Sequence, residues 1–150
     1  MHPAIELSLF ASGAFLLTGM LTGVWKWVCI HRSDTATAPV YVDVAHRASL
    51  LYSFAAMVIT NFVQFSPYSV SVTYWATAAP LFFFALAILI YIVHGFLGDT
   101  DNQYLRPHKL GSMTLPSVII VVLMVALIIG EVGGFGLLFW GFMRTVVLAA

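Results

Sequence analysis

The sequence predicts an all-α integral membrane protein built as a four-helix transmembrane bundle. Hydrophobic side chains make up 61% of its 150 residues and charged side chains only 8%, which leaves too little polar surface to cover a water-soluble globule. Four apolar runs each reach the roughly 20 residues that a helix needs to cross a bilayer. We therefore expect a single transmembrane domain over residues 1–150, with the lipid bilayer as its surroundings.

The first helix is predicted at residues 7–30. This run carries no charge before Lys26, and Trp25 and Trp27 near its end suit the headgroup level of a membrane. Because the run is long enough to span and no basic residue precedes it, we expect it to be retained rather than cleaved as a signal peptide.

The second and third helices are predicted from one long uncharged segment, residues 48–98. This segment is about twice as long as one membrane helix requires, so it must turn once. Proline and serine favour a tight turn at residues 66–69, which places the second helix at residues 44–65 and the third at residues 72–96. Pro80 predicts a kink in the third helix.

The fourth helix is predicted at residues 114–143, after a polar loop at residues 98–109. Five of the six basic residues lie in or beside the first and third connections, and basic residues favour the cytoplasmic side. Both termini are therefore expected outside, in a multi-pass protein of a bacterial-type inner membrane. A formal net charge of zero gives no reason to expect a nucleic-acid partner. These five basic residues are Lys26, Arg32, Arg47, Arg106 and Lys109.

Three ionisable side chains lie inside the predicted spans, where they are costly and are functional candidates. His46 begins the second helix and His94 ends the third, so the two antiparallel helices place both imidazoles at the cytoplasmic level. Glu131 lies roughly 25 Å from that end of its helix. We expect it to be apart from the histidines, at a glycine-rich helix contact, with a proton-relay role as the alternative.

His46 has two interpretations, as a ligand of haem iron or another transition metal or as a hydrogen-bonded structural histidine. His94 is predicted as a second ligand, a proton donor or a structural residue, and Tyr91 suits substrate positioning. Asp43 and Arg47 are spaced to pair on one helix. A polar stripe on helix two predicts a face turned toward other helices or a neighbouring subunit; its members are His46, Ser49, Ser53, Met57, Thr60 and Gln64.

A second cluster of polar residues lies on the predicted cytoplasmic side, where histidine and aspartate together could bind a non-haem metal. Asp99 and Asp101 more often cap helices or order turns. The other members of this cluster are His31 and His108.

The run from Leu17 to Trp25 (LTGMLTGVW), followed by a polar connection and by Val44-Ala-His46, resembles the bacterial styrene oxide isomerases. These are small four-helix membrane enzymes, and the resemblance covers most of the chain in helix number and loop placement. It implies that His46 ligates a b-type haem at the contact between subunits of a homotrimer. It also implies that ferric iron, as a Lewis acid, opens a hydrophobic epoxide to a carbonyl compound.

The resemblance further implies a pocket lined by an asparagine on helix two and a tyrosine on helix three. This sequence departs at the first position, because Tyr52 stands six residues after His46. Tyr91 or His94 takes the helix-three place. We therefore predict Tyr52, Tyr91 and His94 as the catalytic residues.

Two other functions fit the same residues. In a membrane cytochrome, His46 and His94 would ligate one haem from its two sides for electron transfer. In a scaffold or accessory subunit without cofactor, the histidines would only form hydrogen bonds.

Overall fold

A computed structural model describes residues 1–148 and confirms the all-α, four-helix architecture. Helix α1 spans Pro3–Arg32, α2 spans Val40–Val63, α3 spans Val70–Leu97 and α4 spans Ser117–Val147. All four are long and apolar enough to cross a membrane. The predicted ends differ from the observed ones by at most four residues.

The helix ends have local causes in the sequence. Helix α1 begins where Pro3 supplies a fixed φ angle and the His2 ring accepts a hydrogen bond from the Ala4 amide at 3.2 Å. Helix α3 begins directly after Ser69, which caps it: the Ser69 hydroxyl accepts a hydrogen bond from the Val72 amide at 3.4 Å. It ends at Gly98, which takes a left-handed conformation with φ of 57°.

A short β-hairpin between α3 and α4 was not predicted. Strand β1 spans His108–Leu110 and pairs antiparallel with β2, Met113–Leu115, around Gly111 with φ of 60°. The prediction placed β1 in a loop and began the fourth helix at residue 114. Three residues are too short for an alternating pattern to appear, and α4 begins only after Pro116.

Helices α1 and α2 pair through reciprocal hydrogen bonds along their length. The Ser12 hydroxyl donates to the Ser53 carbonyl oxygen at 3.0 Å, and the Ser53 hydroxyl donates to the Ser12 carbonyl oxygen at 2.9 Å. Further along, the Thr60 hydroxyl donates to the Ser8 hydroxyl at 2.8 Å. Such bonds satisfy polar groups that lipid cannot.

Helix α4 packs against α3 at Pro80, where α3 continues through the proline. A side chain at Gly134 would place its Cβ atom 2.7 Å from the Ala76 carbonyl oxygen and 2.7 Å from Pro80 Cδ. The two backbones therefore meet at a contact that only glycine permits. Just before this contact, residues Ile129–Gly133 of α4 form a π-helical turn that contains Glu131.

Candidate functional site

His46 projects from α2 onto the backbone of α1. Its Nδ1 lies 2.8 Å from the Gly19 carbonyl oxygen. Because a carbonyl oxygen only accepts, Nδ1 carries the proton and donates, and the neutral ring keeps a lone pair on Nε2. Within residues 1–148 no hydrogen bond reaches that Nε2, so it is available as a ligand atom.

Gly23 provides the space for this ring. A Cβ atom at Gly23 would lie 2.8 Å from His46 Cε1 and 3.0 Å from Nδ1, both closer than atoms normally approach. The LTGMLTGVW run thus supplies a carbonyl acceptor at Gly19 and an open position one turn later. Together these fix the orientation of the half-buried imidazole.

A charged cluster and an apolar surface flank His46. Asp43 pairs with Lys26 of α1 at 2.5 Å and with Arg47 at 2.7 Å, so the predicted pair of Asp43 and Arg47 is present and also joins two helices. On the same two helices, Met20 follows Gly19, Trp27 stands one turn after Gly23, and Phe54 stands about two turns after His46. All three are large apolar side chains exposed at the surface.

The polar stripe of α2 divides in the structure. Ser49, Ser53 and Thr60 are buried, and the hydrogen bonds of Ser53 and Thr60 to α1 show that this part of the stripe faces that helix. Met57 and Gln64 are exposed. Interhelical hydrogen bonding therefore accounts for the buried serine and threonine side chains that contact α1.

His94 is buried at the end of α3 and is held by Asp99. Its Nδ1 donates to Asp99 Oδ1 at 2.7 Å, and the other carboxylate oxygen accepts from the Gly111 amide at 2.5 Å. Burial alone would raise the pKa of Asp99, but the hydrogen bonds from His94 and Gly111 outweigh it and hold that pKa below its usual value. Asp99 therefore stays ionised and fixes both the imidazole and the hairpin.

A cavity of about 310 Å³ lies between α3, the hairpin and α4. Tyr91 and His94 line it together with two residues of the connecting segment, Gln103 and His108. His108 is 6% exposed, and its Nδ1 donates to the Gln103 carbonyl oxygen at 3.2 Å. The structure thus brings Tyr91 and His94 into one cavity.

The other predicted site residues lie elsewhere. Tyr52 stacks on Phe84 with ring centroids 4.4 Å apart, and it is a neighbour of Tyr91. His46 does not line the cavity that contains His94, so within one chain the predicted ligand and the predicted catalytic pair Tyr91 and His94 form two separate sites. The catalytic roles of Tyr52, Tyr91 and His94 stay predictions.

Glu131 lines a different cleft, of about 570 Å³, between α2, α3 and α4. Within residues 1–148 its Oε1 is buried without a hydrogen-bond partner. Glu131 does not line the His94 cavity, as expected from its depth in the helix.

Two features of the candidate site were not predicted from the sequence. The first is Gln103, whose backbone amide donates to the Tyr41 hydroxyl at 2.6 Å and whose side chain lines the cavity; no sequence pattern marked it. The second is Asp99 as the partner of His94, which the spacing of five residues across a helix end could have suggested. In the described part of the chain, no three His, Cys, Asp or Glu side chains gather as a metal site.

Comparisons of the chain with protein-family models, with curated proteins and with solved structures give no match.

Proposed function

We propose that this protein is a haem-b-dependent membrane isomerase that opens a hydrophobic epoxide to a carbonyl compound, with His46 as the axial ligand of the iron. The hydrogen bond from His46 Nδ1 to the Gly19 carbonyl oxygen supports this best. Histidines that bind metals usually donate their other ring N–H to a carbonyl or carboxylate oxygen, which fixes the tautomer and the ring orientation.

The residues around His46 fit a haem. Gly19 orients the ring, Gly23 leaves room for it, and Nε2 has no competing partner among residues 1–148. When bound, ferric haem b would supply a Lewis acid for the epoxide oxygen. The exposed apolar side chains of Met20, Trp27 and Phe54 would contact the apolar macrocycle and exclude water from it.

The same surface supports assembly into an oligomer. A haem held by His46 would lie at the surface of α1 and α2, where the exposed apolar side chains of a single chain would leave it partly open to lipid. A second copy packed on this surface would cover it, and we propose the homotrimer that the resemblance implies. Arg47, which follows His46 in the helix, is 64% exposed and pairs with Asp43; its guanidinium could also pair with a carboxylate of the haem.

The proposed location is a bacterial-type inner membrane, with both termini outside. The connection between α1 and α2 and the segment with the hairpin would then face the cytoplasm, as would His46 and His94. A hydrophobic epoxide partitions into the bilayer, so a site that faces lipid suits this substrate.

A bis-histidine cytochrome is less well supported by the geometry. His94 already donates its Nδ1 hydrogen to Asp99 and lines a cavity that His46 does not reach. We therefore propose His46 as the only histidine ligand from each chain. A scaffold without cofactor would leave the free Nε2 of His46 without a role.

The test is the absorption spectrum of the detergent-purified protein, combined with an epoxide isomerisation assay. We expect a Soret band and conversion of an aryl epoxide to a carbonyl product. Both should be lost in His46→Ala. Both should be retained in His2→Ala, because His2 precedes the first residue of α1 and lies far along that helix from Gly19, which His46 contacts. A colourless protein, or an unchanged band in His46→Ala, would contradict the proposal. A six-coordinate low-spin ferric spectrum that His94→Ala abolishes would favour the cytochrome.

A further inference from the structure

The cavity between α3, the hairpin and α4 is polar at one end and apolar along the rest of its length. Its polar lining comes from the segment after α3 and the end of α3 itself, with His94, Gln103, His108 and Lys109. Its lining on α3 continues from His94 back to Phe83, a distance of about 16 Å along the helix. The side chains at this deeper end are aliphatic or aromatic; they include Phe83, Leu86, Leu123 and Leu127.

The roof of this cavity, residues 99–115, is bonded to three helices: α3, α2 and α4. Asp99 ties the hairpin to α3 through its bonds to His94 and Gly111. The Tyr41 hydroxyl accepts the Gln103 amide hydrogen and ties the roof to α2. The Tyr104 hydroxyl donates to the Met124 sulfur of α4 at 3.3 Å. These bonds fix the position of the segment that covers the cavity, so the cavity is a defined part of the fold.

Two cations stand at the polar end without an acidic partner. Lys109 lines the cavity, and Arg106 lines an adjoining pocket that shares Tyr104 and His108 with it. Within the described residues neither side chain forms an ion pair. Both carboxylate oxygens of the buried Asp99 are already engaged, one by His94 and the other by the Gly111 amide, so Asp99 does not pair with either cation.

From this arrangement we propose that the cavity binds a single-chain anionic amphiphile, a long-chain carboxylate, with its head at Lys109 and Arg106 and its chain between α3 and α4. A carboxylate accepts charge-assisted hydrogen bonds from lysine and arginine, and the apolar length of the cavity would shield an alkyl chain from water. This site is separate from His46 and does not rest on the proposed haem or isomerase activity.

The volume argues for one chain rather than a bilayer phospholipid. About 310 Å³ is at the lower end of small-molecule pockets, too small for a molecule with two acyl chains. The predicted cytoplasmic level of the mouth would let a free fatty acid enter from the interface. A phospholipid phosphate shares the anionic head chemistry, so the experiment must separate these two sources.

The test measures binding of radiolabelled dodecanoate to the protein in nanodiscs, with empty nanodiscs as background. Dodecanol, with the same chain and no charge, should bind at least about tenfold more weakly. Arg106→Gln combined with Lys109→Gln should weaken dodecanoate binding to a similar extent. Arg144→Gln, a cation of α4 remote from the cavity mouth, serves as the matched control and should bind as the parent does.

A second pair of variants tests the apolar part. Leu123→Trp fills the cavity and should abolish binding, whereas Val122→Trp changes an adjacent residue that is 60% exposed and outside this cavity and should leave it intact. Equal binding of dodecanol, unchanged binding in Leu123→Trp, or stronger competition by dioleoyl phosphatidate than by unlabelled dodecanoate would each overturn the proposal. His46→Ala should keep dodecanoate binding, which separates this test from that of the haem.

Discussion

At the scale of single residues, Gly23 decides whether the His46 ring can hold its position. Gly23→Ala would place a methyl group 2.8 Å from His46 Cε1, and overpacking of this kind costs about 1–3 kcal/mol. We expect lower thermal stability and, if His46 holds a haem as proposed, a lower haem-to-protein ratio in the absorption spectrum.

The matched control is Gly13→Ala in the same helix, where a Cβ atom meets nothing within 4 Å. Its stability should be unchanged or raised by up to about 1 kcal/mol, since alanine favours a helix more than glycine does. If Gly23→Ala and Gly13→Ala change the stability equally, the close contact between Gly23 and His46 does not contribute to the stability of the protein.

Asp99 gives a pH dependence whose sign follows from its lowered pKa. A carboxyl with a folded-state pKa below its unfolded value of about 3.9 contributes stability above that value, and the contribution is lost as the pH falls through the folded pKa. Asp99→Asn should therefore lower the free energy of unfolding by about 1.5–3 kcal/mol near pH 6, and by less toward pH 3.

Thermal unfolding in detergent across this pH range measures the difference between Asp99→Asn and the parent. Asp101→Asn, an exposed neighbour in the same segment, should show no comparable difference at any pH. A constant deficit for Asp99→Asn down to pH 3 would contradict a role for the ionised carboxylate.

At the scale of helices, the pairing of α1 and α2 rests on the reciprocal serine bonds. We expect Ser12→Ala and Ser53→Ala each to lower stability by about 0.6–1.7 kcal/mol, the range measured for hydrogen bonds between membrane helices. Each side chain bonds the backbone of the other helix. Thr18→Ala is the control, because its hydroxyl donates to Ala14 within α1. Steric-trap unfolding in micelles reports these differences, and an equal loss in all three variants would argue against an interhelical origin.

Glu131 is a second polar side chain in a helix whose substitution should change the stability of the protein. Its Oε1, on the π-helical turn, has no hydrogen-bond partner among residues 1–148, and burying it costs desolvation energy that an apolar side chain of similar size avoids. We expect Glu131→Met to raise stability by about 1–3 kcal/mol, measured by thermal unfolding in detergent. A loss of stability would show that the carboxyl has a partner, such as a second copy of the chain.

The helices could be predicted from the sequence, because each depends on a local run of apolar residues. The two sites could be predicted only in part, because they depend on contacts between residues far apart in the sequence. A membrane span requires a long apolar run, so a pattern over residues 72–96 identified α3 to within two residues of its ends. The hairpin depends on distant bonds, because Asp99 holds Gly111 and Tyr41 holds Gln103. Of the two histidines that the sequence marks as candidates, His94 is buried and His46 is half-buried, and their functional roles stay predictions. Their separation into two sites depends on which helix each one faces, and neither spacing nor hydropathy contains that information.

At the scale of the whole molecule, the distribution of basic residues predicts the orientation in the membrane. In the structure, Asp34 lies in the connection between α1 and α2, and Ser69 lies in the connection between α2 and α3, so the two positions must be on opposite sides of the membrane. Five of the six lysine and arginine residues lie in the hairpin segment or within about two turns of the first connection, in the end of α1 and the start of α2, which predicts the cytoplasm for Asp34 and the outside for Ser69.

This orientation can be measured with single cysteines in a Cys29→Ser background, since Cys29 is the only native thiol. A membrane-impermeant maleimide applied to intact spheroplasts should label Ser69→Cys and leave Asp34→Cys unlabelled until the membrane is permeabilised. Both positions are exposed, so a difference in labelling reports sidedness rather than burial. The reverse pattern would place His46, His94 and the cavity mouth at the outer surface. Equal labelling of both positions would mean that the chain inserts in two orientations, and then the charge difference of the loops is too small to select one.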